Sequence, residues 1–510
     1  MDSLNLAMLL EHRARQDPNK VCLMLGKERR TFAQMHEQAQ HCAGGLAALG
    51  IGPGQRVGIL LPNEPDFFSA YFGVLLIGAV PVPMNVTSPG PEIAFFLGDT
   101  QAVALITAAA VLPAAVDGMK AAPACKHLIV AGTAEKLPPS ALRFEQILAE
   151  SNPVTLPAAT HPNDEAVVLY TAGTTGRPRG VVLTHFNLYF AAQFVARDFW
   201  EVQPGDVMLM VASGAHIFGQ TILNVAMVTG AALSLLPRFE PEAFLRTIQT
   251  DRVTFFAGVP TLAHLMLHSP AVKGFDLSSL RAVMFGGAPL HPQVAAQFAQ
   301  TFGVRLITGY GMTEGVPMVY LTADMFASAP TGAVGQPAFG TEIRIVDEHD
   351  QNVAVGGLGE IVVRGPQVFR EYLNLPEETA QAMRGGWFHT GDVGRLDEQG
   401  YLFIVDRLKD MIKRSGYAVS PAEVERALQA HSAVAESAVV GIPDERLGEE
   451  IKAYVVVRPG ATITAEELIA HCQGQLAAYK YPRQIEFREA LPKSPAGKVL
   501  RRVLREQANA

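Results

Sequence analysis

Short apolar runs alternate with helix-period stretches from the start of the chain as far as Thr308, and that alternation restricts it to few folds. Arg56 to Leu61 reads as a strand, Asp66 to Ile77 as a helix and Ala102 to Thr107 as a strand. Further strands are expected at Val253 to Ala257, Ala282 to Phe285 and Arg305 to Thr308, with helices between them. Strands that are apolar along their whole length need cover on both faces. The pattern therefore predicts an α/β protein with buried, largely parallel sheets. Glu342 to Asp347 and Glu360 to Arg364 flank a glycine-rich turn and read as antiparallel.

Near Asp406 the texture changes. Asp406-Arg-Leu-Lys-Asp-Met-Ile-Lys-Arg-Ser-Gly416 concentrates charge between two apolar stretches. A compact unit follows. Ser420-Pro-Ala-Glu423 reads as a capping box with proline at the first helical position, and Thr464-Ala-Glu-Glu467 caps a second helix. Ala435 to Gly441 and Ile451 to Val457 read as strands. The expected division is an N-terminal domain over 1–407 and a C-terminal domain over 408–510.

At 510 residues and 49% apolar, the chain has material for several cores. A net charge of −8, with no basic stripe, argues against nucleic-acid binding. Four cysteines (Cys22, Cys42, Cys125 and Cys472) lie far apart with no Cys-x-x-Cys, as expected of buried thiols in a reducing cytoplasm. No signal peptide is expected after Met1-Asp-Ser-Leu-Asn5. The apolar stretches Phe72 to Met84 and Ile222 to Leu236 fall short of the ~20 residues of a membrane span, and the terminal Gln-Ala-Asn-Ala is no peroxisomal address.

The chemistry concentrates in Tyr170-Thr-Ala-Gly-Thr-Thr-Gly-Arg-Pro-Arg-Gly-Val-Val-Leu-Thr-His185. The segment follows the buried-strand pattern of Ala166 to Leu169. Gly173, Gly176 and Gly180 permit close backbone approach to a ligand. Thr171, Thr174 and Thr175 offer hydroxyl donors, and Arg177 and Arg179 offer charge. Together these suit a polyphosphate. The spacing is not that of a P-loop, which needs Gly-Lys-Ser/Thr after four intervening residues, and no Gly-x-Gly-x-x-Gly follows a strand.

Four other segments carry candidate groups. Gly309-Tyr-Gly-Met-Thr-Glu314 lies at the carboxyl end of a strand, where open α/β sheets bind ligands. Glu314 offers a hard oxygen for Mg2+, Thr313 a hydroxyl and Tyr310 a stacking face. Taken alone, the segment reads equally as a helix N-terminus. Asp392, in Thr390-Gly-Asp392, can accept from two vicinal hydroxyls, or can sit in a solvated turn. Asp406-Arg-Leu-Lys-Asp410 reads also as a charged surface linker. Lys498 ends Pro492-Lys-Ser-Pro-Ala-Gly-Lys498 on a glycine-containing loop. His264 and His268 are four apart on a helix but have no third ligand, and no serine lies in a Gly-x-Ser-x-Gly elbow.

These segments, in this order, resemble the signatures of the adenylate-forming superfamily of acyl- and aryl-CoA synthetases, luciferases and peptide-synthetase adenylation domains. The usual first signature is Ser/Thr-Ser-Gly-Thr-Thr-Gly-x-Pro-Lys-Gly. Here Ala172 replaces a serine and Arg179 a lysine. Arg179 keeps a cation and can grip phosphate with two donors. The resemblance is strongest to fatty-acid or aryl acyl-CoA ligases and covers nearly the whole chain. It implies a large N-terminal domain of stacked α/β sheets plus a barrel-like β part, with a small mobile α+β C-terminal domain.

The resemblance also implies residue roles. Thr171, Ala172, Gly173, Thr174, Thr175, Gly176 and Arg179 would hold the phosphates of ATP. Gly287, Ala288, Thr308, Gly309, Tyr310, Gly311, Met312 and Thr313 would border the nucleotide. Glu314 and Thr174 would bind Mg2+. Asp392 and Arg407 would take the ribose, and Lys409 would be the pivot. Ser415 and Gly416 would reach the site after rotation and lie along the pantetheine of CoA. Lys498 would enter for the first half-reaction and offset charge at the α-phosphate. The acid is expected among His216, Phe218, Gly286, Met312, Val316 and Pro317, where Glu314 is the sole charge along the flanking short segments. That suits a fatty or aryl acid better than a free amino acid.

The expected activity is an ATP-dependent carboxylic acid:CoA ligation through acyl-AMP, with ATP, Mg2+ and CoA as cofactors and a homodimer left open. Two alternatives stay open at this point. One is a free-standing adenylation enzyme that loads a carrier protein, or a luciferase-like oxygenase. The other is a non-catalytic nucleotide-binding homologue, suggested by Ala172 and Arg179.

Overall fold

Contacts divide the chain into two compact units, Met1–Glu342 with Arg364–Phe388 and Ile343–Val363 with His389–Ala510. The computed structural model describes residues 3–134, 136–171, 177–288, 290–326, 328–415, 417–444, 446–493 and 499–508.

The first unit carries the expected α/β architecture. A nine-stranded sheet runs Gln336–Pro337, Gly315–Leu321, Arg305–Met312, Ala282–Phe285, Phe255–Gly258, Val207–Met210, Ala232–Leu235, Val21–Leu25 and Glu28–Thr31. Its central pairings are parallel, and antiparallel strands finish both edges. A second sheet, Val80–Pro83, Arg56–Leu60, Ala104–Ala108, His127–Ala131 and Leu142–Arg143, is parallel throughout. A third, antiparallel sheet orders Glu371–Tyr372, Arg179–Thr184 and Glu165–Thr171.

Helix cover follows from composition. In Pro65–Leu76 every residue except Asp66 is buried, and proline opens the helix where no backbone donor is needed. This helix lies close against Phe32–Ala48. A Cβ on Gly73 would stand 2.8 Å from the Cys42 Sγ, so only glycine fits that crossing. Both long apolar stretches break at a left-handed glycine. Gly78 (φ 71°) separates the helix from strand Val80–Pro83, and Gly230 (φ 73°) separates Ile217–Thr229 from Ala232–Leu235. Among the described residues no helix is long and apolar enough to cross a membrane. The four cysteines are buried and unbridged, and burial raises each thiol, Cys125 to about 12 and Cys472 to about 11.

Asp206 ties the amino ends of three parallel strands together. Its carboxylate accepts from Gln203 N at 2.7 Å, Thr254 Oγ1 at 2.7 Å and Arg281 Nε at 2.9 Å, and it also pairs with Arg281 Nη2. Burial alone would raise its pKa, but the donors from Arg281, Gln203 and Thr254 hold it below the ordinary value.

The second unit holds a four-stranded sheet, Glu342–Val346, Gly359–Arg364, Phe388–Leu396 and Leu402–Arg407. Its other sheet runs Tyr417–Val419, Ile412–Arg414, Gly448–Val457 and Val434–Asp444, with Gln484–Phe487 also pairing Gly448–Val457. Helices Pro421–Gln429 and Ala465–Gln473 cover a core that includes Val424, Leu428, Ile451, Val455 and Leu468. The cap at Thr464 forms the full reciprocal box with Glu467. At Ser420 only the first half matches expectation. Ser420 Oγ accepts from Glu423 N at 3.3 Å, while the Glu423 carboxylate is drawn to Lys480 Nζ at 2.8 and 2.9 Å. A full lysine charge outcompetes the neutral amide there.

His185 generates a pH test of the fold. It opens helix His185–Phe194, which Thr184 and Asn187 cap reciprocally, and its buried Nδ1 accepts from the Leu6 N–H at 3.2 Å. Burial lowers its pKa to about 4, with Asp164 opposing in part. The folded value lies below the unfolded one, so stability is complete above about pH 6.5 and falls as the unfolded chain takes the proton between 6.5 and 4. The expected loss is at most about 3 kcal/mol, read as a declining urea midpoint from pH 7.5 to 4.5. In His185→Gln that decline should be visibly shallower. Asp206→Asn should lower stability by about 2 kcal/mol at neutral pH, measured by the same unfolding titration.

Candidate active site

Strands Glu165–Thr171 and Arg179–Thr184 pair in register, with Thr171 opposite Arg179 and Tyr170 opposite Gly180. They bracket the phosphate-loop candidates Ala172, Gly173, Thr174, Thr175 and Gly176, which lie outside the described residues. The strand before the loop is held from the side: Tyr170 Oη donates to Asp99 Oδ2 at 2.7 Å and its ring stacks on Phe96 at 4.2 Å. Arg177 stacks over Phe95 at 4.9 Å. Arg179, at the start of the second strand, pairs with Glu378 at 2.7 Å and lies 5.2 Å over the Tyr372 ring.

Tyr372 connects two of the candidates. Its hydroxyl donates to Glu314 Oε1 at 2.9 Å, while its ring carries the Arg179 guanidinium. Main chain sets its place, because Glu371–Tyr372 pairs with Val181 and Val182 of the strand that Arg179 begins. Phe369 N donates to Glu314 O at 2.8 Å, and the Phe369 ring packs on Tyr372 at 4.7 Å. Burial raises the Tyr372 hydroxyl far above its ordinary pKa, and the Glu314 charge and hydrogen bond raise it further, with Arg179 opposing. The phenol therefore stays a neutral donor at any working pH.

Glu314 sits on a turn at the carboxyl end of a strand, the first of the two settings the sequence allows, and not at a helix N-terminus. Strand Arg305–Met312 continues four residues past Thr308 and turns back as Gly315–Leu321, so Thr308, Gly309, Tyr310, Gly311 and Met312 are strand residues and Thr313–Glu314 is the hairpin turn. No helix starts there. Glycine permits the pairing: a Cβ on Gly309 would lie 2.7 Å from both Phe199 Cζ and Val319 O, and one on Gly311 3.0 Å from Gly315 O. Thr313 is buried and Glu314 half-buried. Among the described residues no group of three or more His, Cys, Asp or Glu side chains could hold a metal. A lone hard carboxylate fits Mg2+, which keeps most of its waters and shares one or two protein carboxylates with substrate phosphates.

Of the acid-site candidates, Met312, Val316 and Pro317 belong to this hairpin. His216 caps helix Ile217–Thr229, its Nδ1 accepting from Phe218 N at 3.3 Å, and it is exposed. Phe218 is half-buried and meets the Trp200 ring edge-on at 6.3 Å. Trp200 follows a π-helical turn, Val195–Phe199, whose Phe199 packs on Gly309. Gly286, Gly287 (φ 77°) and Ala288 follow strand Ala282–Phe285. Val316 is half-buried and Pro317 buried.

The remaining candidates belong to the second unit. Asp392 and Arg407 face each other across paired strands, with Arg407 Nε 3.1 Å from Asp392 Oδ1. Asp392 is buried and Arg407 exposed. Lys409 is exposed on the one-turn segment Leu408–Asp410. Ser415 takes a left-handed conformation (φ 51°), and its N–H donates to Leu447 O at 2.7 Å. Gly416 and Lys498 lie outside the described residues.

Sequence reasoning missed Tyr372, Glu378 and Trp200. Tyr372 reaches Glu314 and Arg179 only through strand pairing between segments far apart in sequence, which no local pattern signals. The aromatic run Phe194, Phe199, Trp200 was the one visible hint of a specialised surface beside Gly309.

Comparison with known proteins fits this geometry. A family profile described as AMP-binding enzyme matches residues 10–373, and one described as AMP-binding enzyme C-terminal domain matches residues 423–498. The long-chain-fatty-acid–CoA ligase of Bacillus subtilis (strain 168) is 34% identical, covering 98% of this chain and 94% of its own length. The feruloyl-CoA synthase of Amycolatopsis sp is 35% identical, covering 97% of each chain. A crystal structure of an anthranilate CoA ligase in complex with anthranoyl-AMP matches with a TM-score of 0.90 at 28% identity, covering 100% of this chain and 98% of that one. With the strands around its candidate phosphate loop and its Thr313–Glu314 hairpin inside the first matched region and strands Val434–Asp444 and Gly448–Val457 inside the second, the chain belongs to the AMP-binding enzyme family.

Proposed function

We propose that the chain is an AMP-forming acid–CoA ligase acting on a fatty or aryl acid. The observation that carries this reading is the meeting of Arg179 and Glu314 at Tyr372, which sets a cation for polyphosphate beside a hard oxygen for a divalent cation. Fatty and aryl acids are the substrates in the names of the two relatives, and the apolar residues around Phe218 and Trp200 suit either.

A carboxylate acylates poorly because its leaving group would be oxide. In the proposed first step a carboxylate oxygen of the acid attacks the α-phosphorus of ATP, and pyrophosphate departs. Arg179, with Thr174 and Thr175 of the adjoining loop, holds the β- and γ-phosphates. Glu314 and Thr174 would hold Mg2+, which would supply neutralisation of the phosphate charge. Lys498 offsets the charge that builds at the α-phosphate. Asp392 and Arg407 take the ribose, and Tyr310 borders the adenine. His216, Phe218, Gly286, Met312, Val316 and Pro317 enclose the acid. Positioning and electrostatics carry the rate.

In the proposed second step the thiolate of CoA attacks the acyl-AMP carbonyl, the thioester forms and AMP leaves. The domain boundary proposed at residue 408 places Lys409 as the pivot between the steps. Rotation there would withdraw Lys498 and bring Ser415 and Gly416 to the pantetheine, so that one cleft serves two reactions. The buried thiols fit a reducing compartment, and the cytoplasm is the proposed location.

The direct test is AMP and pyrophosphate release with Mg-ATP across straight-chain and aryl acids, with and without CoA. AMP release that requires CoA for one acid class is the expected result. Pyrophosphate without acyl-CoA would sink the CoA assignment and point to a carrier protein. Lys498→Ala should slow acyl-AMP formation by about 10²–10³-fold while leaving thioester formation from supplied acyl-AMP nearly intact. Equal damage to both half-reactions would refute the role of Lys498.

A further inference from the structure

We propose that Tyr372 is a positioning residue for metal-nucleotide binding, acting through Glu314; this rests on the reading of Glu314 as the Mg2+ ligand. A carboxylate on a two-residue hairpin turn has free rotamers, and a metal ligand must be held within a fraction of an ångström. In this chain it is restrained directly by one side chain and indirectly through the main chain and the packing behind that side chain. The Tyr372 hydroxyl fixes Oε1 at 2.9 Å, the Phe369 N–H fixes the Glu314 carbonyl at 2.8 Å, and the Phe369 ring braces Tyr372 at 4.7 Å. The hydroxyl takes one of the roughly four lone-pair sites that a carboxylate offers.

The same residue also places the phosphate-side cation. Arg179 is held between the Tyr372 ring and the Glu378 carboxylate. A planar guanidinium stacks on a ring in a way that an ammonium does not. The arginine that replaces the family's usual lysine is thus matched by a ring beneath it and an acid at its edge. Tyr372 itself is buried, 5% exposed, and pinned by main-chain pairing, so it can transmit a fixed position to both groups. Residues that orient a metal ligand from behind typically change metal affinity about 10–100-fold when removed.

Tyr372→Phe keeps the ring under Arg179 and deletes what the hydroxyl makes, its bond to Glu314 and its hydrogen bond with Arg179; the Mg2+-dependent part of ATP binding reports the first and metal-free ATP binding the second. The experiment is calorimetric titration of the full chain with ATP, with and without Mg2+, alongside a thermal melt. In the native protein Mg2+ should tighten ATP binding. In Tyr372→Phe that Mg2+-dependent gain should shrink by roughly tenfold, while metal-free ATP binding and the melting temperature change little. Glu314→Gln should lose the gain, and adding Tyr372→Phe to it should change nothing more. An unchanged gain in Tyr372→Phe, or additive losses in the double variant, would overturn the proposal. Absence of any Mg2+-dependent gain in the native protein would instead overturn the reading of Glu314 on which it rests.

Discussion

Main-chain pairing between Glu371–Tyr372 and the strand Arg179–Thr184 is the constraint on which the rest of the first unit's site depends. Two further bonds extend it, Arg370 N to Val182 O at 3.0 Å and Leu373 N to Gly180 O at 2.8 Å. The pairing brings a segment from late in the chain onto the strand that follows the candidate phosphate loop. It puts the Tyr372 ring beneath Arg179 and its hydroxyl on Glu314. Without it these groups would sit on unrelated loops.

Charged groups reinforce the same junction. Glu165, at the start of the strand that enters the loop, is shared by Arg56 at 2.9 Å and Arg370 at 2.8 Å. One carboxylate therefore joins the parallel sheet containing Arg56 to the segment that carries Tyr372. Partial burial of these groups makes the pairing stronger than a surface bridge and more costly to break from one side. Asp99 plays the corresponding part on the far side of the loop, taking the Tyr170 hydroxyl at 2.7 Å and, through its carbonyl, the Asn374 amide at 2.7 Å. Hydrogen bonds and ion pairs brace the strands on either side of the candidate loop, as a reaction governed by positioning rather than by covalent work in the protein requires.

One departure from the expected signature, Arg179, finds physical partners in the structure. Arg179 needs a planar surface and an acid, and Tyr372 and Glu378 supply them. The hairpin at Thr313–Glu314 replaces the helix start that its glycines also permitted, because Gly309 and Gly311 let Phe199, Val319 and Gly315 approach closer than any side chain would allow. A glycine pattern by itself does not distinguish these outcomes. What lies opposite the glycine decides.

Much of the fold was legible in residue order. Ala282 to Phe285 formed the strand read for it, and Arg56 to Leu61 and Asp66 to Ile77 matched to within a residue or two, because buried strands and helices are written in local periodicity. The cap at Thr464 was legible for the same reason, being a contact between residues three apart. The sequence also named Arg179, Glu314, Asp392 and Arg407, since chemical type and motif spacing are local properties. Tertiary structure alone decided that Glu423 would turn to Lys480, that Arg305–Met312 would run on into a hairpin, and that Tyr372 would hold Glu314 and Arg179. Each of these outcomes depends on a partner distant in sequence, and hydrogen bonds and ring contacts form only where the fold brings such partners together.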